Sequence, residues 1–534
     1  MRYNPSQVSQ AFMEAVTQGR MESIKVMLEM DKKVSPGLLT AAAENGQTEV
    51  VKALIAAGAD PNEQNAEDGG TPLIRAAFTN NLAGVKVLVE NGADVNRMAD
   101  DGSNAAWEAA FFAQSPEALD YLVQHGIRLD GYDKRGQTLL IHMLNYVPFK
   151  AVLKDESPRP EAKGSAERER RVIDILAKSG LNLNQPSAPG TSLAMGTPLM
   201  EALHNGQYDI ARALLDHNVN ILAKDTLGNT ALSCLLGSNG WNQPLPIDIV
   251  KRLLKAGADA NGTYLYPGQT PLPAPSPIIS ALLSQAGYGA DDETRKPGVR
   301  EAVKLLLESG AKFPGDLPPK DAAALSAAAR GDLPSLQSTI NAGANINARD
   351  AKGWTALQLA LALDHADCLD WLLKNGASPL SEPKDAPSPL WLAVSLNNEA
   401  LVRQFLAAGA KPSSGVAQMA AIRRNLTILN EVFAAGADAK GADLYNSIRD
   451  GDLEIVRALL DHGADPEGQN SENRRNVYWA TNYNKPEILS LLLERGANPN
   501  VETVYHETPL REARIRNLKE CTSILEKATA SGKR

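Results

Sequence analysis

The feature that most constrains this chain is a Gly-Ala step that returns at nearly constant spacing. It reads AAGAD at 56–60, ENGAD at 90–94, KAGAD at 255–259 and NAGAN at 341–345, and it persists to ERGAN at 494–498. The glycines are 58, 92, 257, 310, 343, 376, 409, 436, 463 and 496, with degenerate versions at Gly126, Gly180 and Asn218. Intervals of 33 or 34 recur, as from 58 to 92 and from 343 to 376. Self-similarity at a fixed period marks a stack of identical supersecondary units. In such a stack each unit touches only its neighbours, so 534 residues need not divide into several globular domains.

The grammar of one unit is legible in TPLIRAAFTNNLAGVKVLVENG, 71–92. Thr71 is a good N-cap, and Pro72 suits the first helical position. Leu73, Ala76 and Ala77 form a narrow apolar face at helical spacing, and a second helix carries Val85, Val87, Leu88 and Val89. Gly92 supplies the left-handed residue that ends a helix, and Asp94–Gly102 reads as an exposed finger.

This unit resembles the ankyrin repeat over nearly the whole chain. The matching residues are Thr71-Pro72-Leu73, Thr197-Pro198-Leu199, Thr355-Ala356-Leu357, Ser388-Pro389-Leu390 and Thr508-Pro509-Leu510 on first helices. EVVKALIAAGADPN at 49–62 and EIVRALLDHGADPE at 454–467 match on second helices. The resemblance implies an all-α solenoid of about 14–15 helix-turn-helix units with short β-hairpin-like fingers. One departure is clear. The family often places His after Thr-Pro-Leu, bonded to neighbouring backbone. Here Ile74, Met200, Gln358, Trp391 and Arg511 stand there, so those bonds are expected to be absent and these layers less regular.

The spacing also locates interruptions. Gly126 to Gly180 spans 54 residues, with the excess in the charged stretch 147–171. Gly257 to Gly310 spans 53, with the excess in 266–298, and a smaller insertion lies at 237–244. These divide the chain into N-terminal repeats (1–146), an irregular middle (147–315) and C-terminal repeats with capping helices (316–534). The inserted loops are either drift in a tolerant scaffold, or functional, as added binding elements or as hinges between the arrays. Intervals of 27, from 409 to 436 and from 436 to 463, point to shortened fingers.

Composition narrows the function. The chain is 43% hydrophobic but only 5% aromatic, which suits thin helices of Ala, Leu, Val and Ile. A net charge of −9 argues against nonspecific nucleic-acid binding, which needs a basic field. No apolar run reaches the ~20 residues of a membrane span. The N-terminus lacks a signal-peptide pattern, and Cys234, Cys368 and Cys521 are too scattered for a disulfide framework or metal cluster. A cytosolic monomer without cofactors is the expectation. No motif of an embedded enzyme occurs in a context that would carry chemistry. His125, His217 and His462 sit near second-helix C-termini, where the helix dipole favours them. His142 reads as a surface residue. Asp60, Asp94, Asp259 and Asp465 read as turn formers.

The resemblance implies that fingers and first helices line a concave face on which a partner protein lies. Three residues past the N-cap, the C-terminal units read Gln358, Trp391, Gln418, Tyr445, Tyr478 and Arg511, with Trp479 beside them and Arg474 and Arg475 at the adjoining finger. Tyr, Trp and Arg are the types enriched at binding hot spots. These side chains either form the partner surface or fill gaps between layers; both readings stand at this point. Trp107, Phe111 and Trp354 fall at packing positions. The work expected is that of a noncatalytic scaffold or adaptor, with an inhibitor that covers a partner's active site as the alternative.

Overall fold

The structure is a computed structural model. It describes residues 5–30, 34–111, 115–145, 165–188, 196–237, 244–265, 276–277, 296–380, 386–468, 474–503 and 506–530. Most of the expected insertions at 147–171, 237–244 and 266–298 lie outside these residues. So do Phe112 and the side chain of Phe111. Residues 165–171, expected as insertion, are the opening turns of the 14-residue helix Ser165–Lys178.

The chain is an all-α ankyrin-repeat solenoid built as two compact units, Met1–Ile278 and Ile279–Arg534. Among the described residues seven helix pairs form the first, from Pro5–Thr17 with Met21–Met30 to Ala231–Gly237 with Ile247–Lys255. Among the described residues of the second, helix Lys296–Glu308 precedes seven pairs, from Pro319–Arg330 with Leu333–Asn341 to Pro509–Ile515 with Lys519–Ala530. Within a unit, first helices stack on first helices, as Pro72–Phe78 does on Leu38–Glu44 and Ala105–Phe111. Ala76 and Ala77 are buried at these contacts and let the backbones approach. Val85 and Leu88 are buried on the second helix of that pair.

Local chemistry sets the ends of the helices. The Thr71 hydroxyl accepts from the Ile74 N–H at 3.3 Å, and Ser388 accepts from Trp391 N–H at 3.2 Å. Gly58 and Gly463, at φ 92° and 100°, turn the chain out of the second helix. The next N–H then reaches back, Ala59 to Leu54 O and Ala464 to Leu459 O, both at 3.0 Å. His125 and His462 place Nδ1 at 2.7 and 2.8 Å from the carbonyls of Tyr121 and Ala458, capping the last turn of the helix. His217 instead meets Asp174 Oδ1 at 2.7 Å.

The fingers are closed by aspartates more than by strand pairing. Asp60, Asp94, Asp259 and Asp465 each accept from the N–H two residues on, at 2.8–2.9 Å. At three tips the same carboxylate oxygen takes two N–H groups; Asp350 holds those of Lys352 and Trp354, each at 2.9 Å. Trp354 is buried there at the base of its finger. Among the described residues the only strand pair is Thr263–Tyr264 with Ser276–Pro277.

Side chains also fasten each layer to the next. Asn62 donates to Gly92 O at 2.9 Å and accepts from Asp94 N–H at 2.7 Å. Asn96 repeats the bracket on Gly126 O and Arg128 N–H, and Asn347 accepts from Ser378 N–H at 2.8 Å. Glu467 fills the equivalent place and accepts from Asn498 N–H. Asn62→Ala, which removes two such bonds, is expected to lower stability by about 1–2 kcal/mol. Gly463→Ala forces a Cβ into a left-handed conformation, where it would meet only Lys440 Cγ at an ordinary contact distance of 3.7 Å, at a cost of about 1–2 kcal/mol. Urea titration followed by helical circular dichroism checks both; unchanged midpoints would contradict these assignments.

Candidate interaction surface

Every proposed contact residue of the C-terminal unit lies on or beside a first helix, but the structure sorts them into two groups. The first group holds layers together. Gln358 is fully buried. Its Oε1 accepts from Thr355 N–H at 2.9 Å and from Thr355 Oγ1 at 2.8 Å, and its Nε2 donates to Pro387 O at 2.8 Å. Pro387 precedes the N-cap of the following unit. Gln418 is bidentate on the equivalent residue, accepting from Asp443 N–H at 2.7 Å and donating to Asp443 O at 3.1 Å. The Tyr478 hydroxyl donates to Glu507 at 3.1 Å, just before the N-cap Thr508. Burial and this bond push the Tyr478 phenol up to about 12.

Two expectations are corrected here. Gln358 and Tyr478, at 0% and 5% exposure, are not open to a partner. Of the five positions where loss of the family's His was expected to remove an interlayer bond, Gln358 makes one, and Gln418 and Tyr478 make comparable bonds in units outside that set.

The second group is accessible. Trp391, Tyr445 and Trp479 are half-buried and Arg511 is exposed. Helix Tyr445–Asp450 has only six residues, and Tyr445 is its first residue instead of its third. The Tyr445 ring meets Trp479 edge-on at 4.9 Å between centroids, and its hydroxyl bonds that of Tyr483 at 2.7 Å. Trp479 stacks on Tyr483 at 5.9 Å. The Arg474 guanidinium lies 5.5 Å from the ring centroids of both Tyr478 and Trp479, with Glu507 at 3.9 Å. Arg475 pairs with Glu467.

Next to these rings is a cleft of about 590 Å³ lined by Asp443, Tyr445, Asp465, Arg474 and Trp479. The shortened finger accounts for it. Only residues 437–444 separate Gly436 from the helix at Tyr445, where Gly463 is followed by 464–475 before the helix at Asn476. Asp443 and Asp465 were not among the expected contact residues. The interval of 27 was the signal that could have found them.

The first helices of the N-terminal unit present a different face. Four residues past the N-caps Thr71, Asn104 and Thr138 stand Arg75, Glu108 and His142. Arg75 pairs with Asp68. Burial pushes the Glu108 carboxyl up to about 7, helped by Asp101 and opposed by Arg75. His142 is not a surface residue as expected. Its side chain is 20% exposed, 3.6 Å from Asp133 and edge-on to the buried Trp107. Burial holds it below the ordinary imidazole value against the pull of Asp133. Among the described residues no group of His, Cys, Asp and Glu is placed to hold a metal ion. Nor is any helix among them long and apolar enough to cross a membrane.

The ankyrin-repeat family model (three copies) matches residues 12–99, 166–272, 324–415 and 417–527. The chain belongs to the ankyrin-repeat family, and its repeats make it a protein-interaction domain. It is 27% identical to E3 ubiquitin-protein ligase KEG of Arabidopsis thaliana over 66% of this chain, which covers 20% of that protein. It is 28% identical to the putative ankyrin repeat protein YahD of Escherichia coli over 39% of this chain and 95% of the relative. The human ASB11 ankyrin repeat domain aligns with 47% of this chain and 98% of its own length, at 19% identity and a TM-score of 0.35. The chain spans only a fifth of the plant ligase.

Glu108 gives a pH prediction. Its folded value lies above the ordinary 4.5, so between pH 4.5 and 7 the folded chain keeps a proton that the unfolded chain has released. That contribution is full below the window and is lost as pH rises through it. Glu108→Gln is expected to flatten the fall in melting temperature from pH 5 to pH 7; an unchanged slope would contradict the assignment.

Proposed function

We propose that this chain is a noncatalytic adaptor that binds a partner protein on the first-helix and finger side of its C-terminal unit. The observation that supports this most is the cluster of Tyr445, Trp479 and Tyr483, half-buried beside a cleft where a finger is shortened. Rings held by neighbouring rings lose little side-chain entropy on binding, and Tyr and Trp in partly desolvated sites dominate interface energetics. Trp391 and Arg511 extend the surface to other layers, and Arg474 and Arg475 form its polar rim.

Gln358, Gln418 and Tyr478 act in this reading as supports, fixing the spacing at which the accessible residues are presented. The YahD relative supports the reading in one respect: the match fills 95% of a protein named only for its ankyrin repeats.

The test is affinity capture with the full chain, comparing it with Trp479→Ala, Tyr445→Phe and Glu108→Gln by quantitative mass spectrometry. Trp479→Ala is expected to weaken capture of the specific partner by about tenfold or more, matching a hot-spot loss of ~2 kcal/mol. Glu108→Gln is expected to leave capture unchanged. Retention of every partner by Trp479→Ala would overturn the proposal.

A further inference from the structure

The cleft beside Tyr445 differs in chemistry from the rest of the C-terminal unit. Two of its walls are aromatic, from Tyr445 and Trp479, and two of its polar groups are the carboxylates of Asp443 and Asp465. Each carboxylate uses one oxygen to hold a turn, accepting from Tyr445 N–H and from Glu467 N–H, both at 2.8 Å. A carboxylate has about four acceptor sites, so capacity remains on both.

Three basic side chains nearby are already paired with acids, two of them while lying over the cleft's rings, Arg449 at 6.0 Å from the Tyr445 centroid and Arg474 at 5.5 Å from that of Trp479. Arg475 pairs with Glu467, and Arg449 pairs with Asp450 at 2.8 Å. Arg474 lies over Tyr478 and Trp479 and faces Glu507. Neither Asp443 nor Asp465 is ion-paired with a described residue. Gly441 lines the cleft too, and a Cβ there would meet nothing within 4 Å, so that side is open.

We infer that this cleft receives a cationic side chain, an Arg guanidinium or Lys ammonium, carried by the partner protein; the inference rests on the partner docking on this face. Aromatic walls attract a cation through the ring quadrupole, and two carboxylates supply charge-assisted hydrogen bonds. Arg474 demonstrates the first half, because a guanidinium already rests at 5.5 Å from the Trp479 centroid. An anionic side chain would meet two like charges. An apolar one would desolvate both carboxylates without pairing them, and a neutral donor would hydrogen-bond them without offsetting their charge.

The experiment uses the full chain labelled with fluorotryptophan, whose six Trp resonances are read by fluorine NMR, with Trp479 assigned from Trp479→Phe. The probes are butylguanidinium, its neutral isostere butylurea, and butyrate. The expected result is a saturable shift of the Trp479 resonance with butylguanidinium alone, in the millimolar range, weakened about fivefold or more in Asp443→Asn/Asp465→Asn. Asn keeps the turn-forming oxygen, so this variant tests charge without removing either turn, and an unchanged thermal melt verifies it. A Trp479 shift equal for butylurea or butyrate, no saturable shift, or an unaltered titration in the double variant would overturn the inference. No partner is present in this titration, so its failure is separable from a failed capture experiment.

Discussion

The rest of the structure depends on fastening one layer to the next through side chains that reach backbone groups across the gap. A single helix pair of this kind is too thin to bury its apolar face alone. Asn62 and Asn96 bracket the start of the following finger on one side of the stack. Gln358, Gln418 and Tyr478 bond the residue before the next first helix. Except for Tyr478, which meets the Glu507 carboxylate, these bonds satisfy N–H and C=O groups that loops would otherwise leave without partners, and all of them set register directly. Apolar burial drives the stacking, but it is non-directional; the hydrogen bonds decide where each layer sits.

Much of this was legible in the sequence, because the Gly-Ala step is both a structural requirement and a ruler. Helix starts at Thr71, Ser388 and Thr508, helix ends at Gly58 and Gly463, and finger turns at Asp60 and Asp465 all follow from local chemistry. Local chemistry needs no knowledge of neighbours. The fate of position 358 was not legible for the opposite reason. Whether a Gln faces solvent or spans a layer gap depends on how close the next unit lies, and that distance is a property of the stack. The same applies to Tyr478, whose partner Glu507 is 29 residues away. At His142 the deciding neighbour was the buried Trp107, one layer back.

The candidate site arises from a loss. Removing part of the finger before residue 445 takes away cover without disturbing the helices behind it. Ala439 N–H bonds His462 O at 2.9 Å, so a backbone contact replaces the side-chain bracket used at Asn62 and Asn347. Tyr445 keeps the register of Gln418 and Tyr478, since each stands six residues before a left-handed residue, Gly451, Arg424 and Asn484 respectively. Spacing alone would have assigned Tyr445 the same role as its neighbours. Its ring and hydroxyl meet Trp479 and Tyr483 of the following layer instead of the residue before that layer's N-cap.

The first helices of the two units therefore solve the same packing problem with different residues, and the difference bears on where binding can occur. In the N-terminal unit Arg75, Glu108 and His142 sit among Asp68, Asp101 and Asp133, and burial raises the carboxyl of Glu108 to about 7. Such groups are held by one another, and displacing one leaves its neighbours uncompensated in a region of low dielectric. In the C-terminal unit the rings of Tyr445, Trp479 and Tyr483 hold one another by packing, while the nearby carboxylates of Asp443 and Asp465 keep acceptor capacity. A partner approaching the first face must break existing pairs before making new ones. On the second face it can add contacts to a surface already ordered, and that asymmetry supports the proposal that recognition begins at the cleft beside Tyr445.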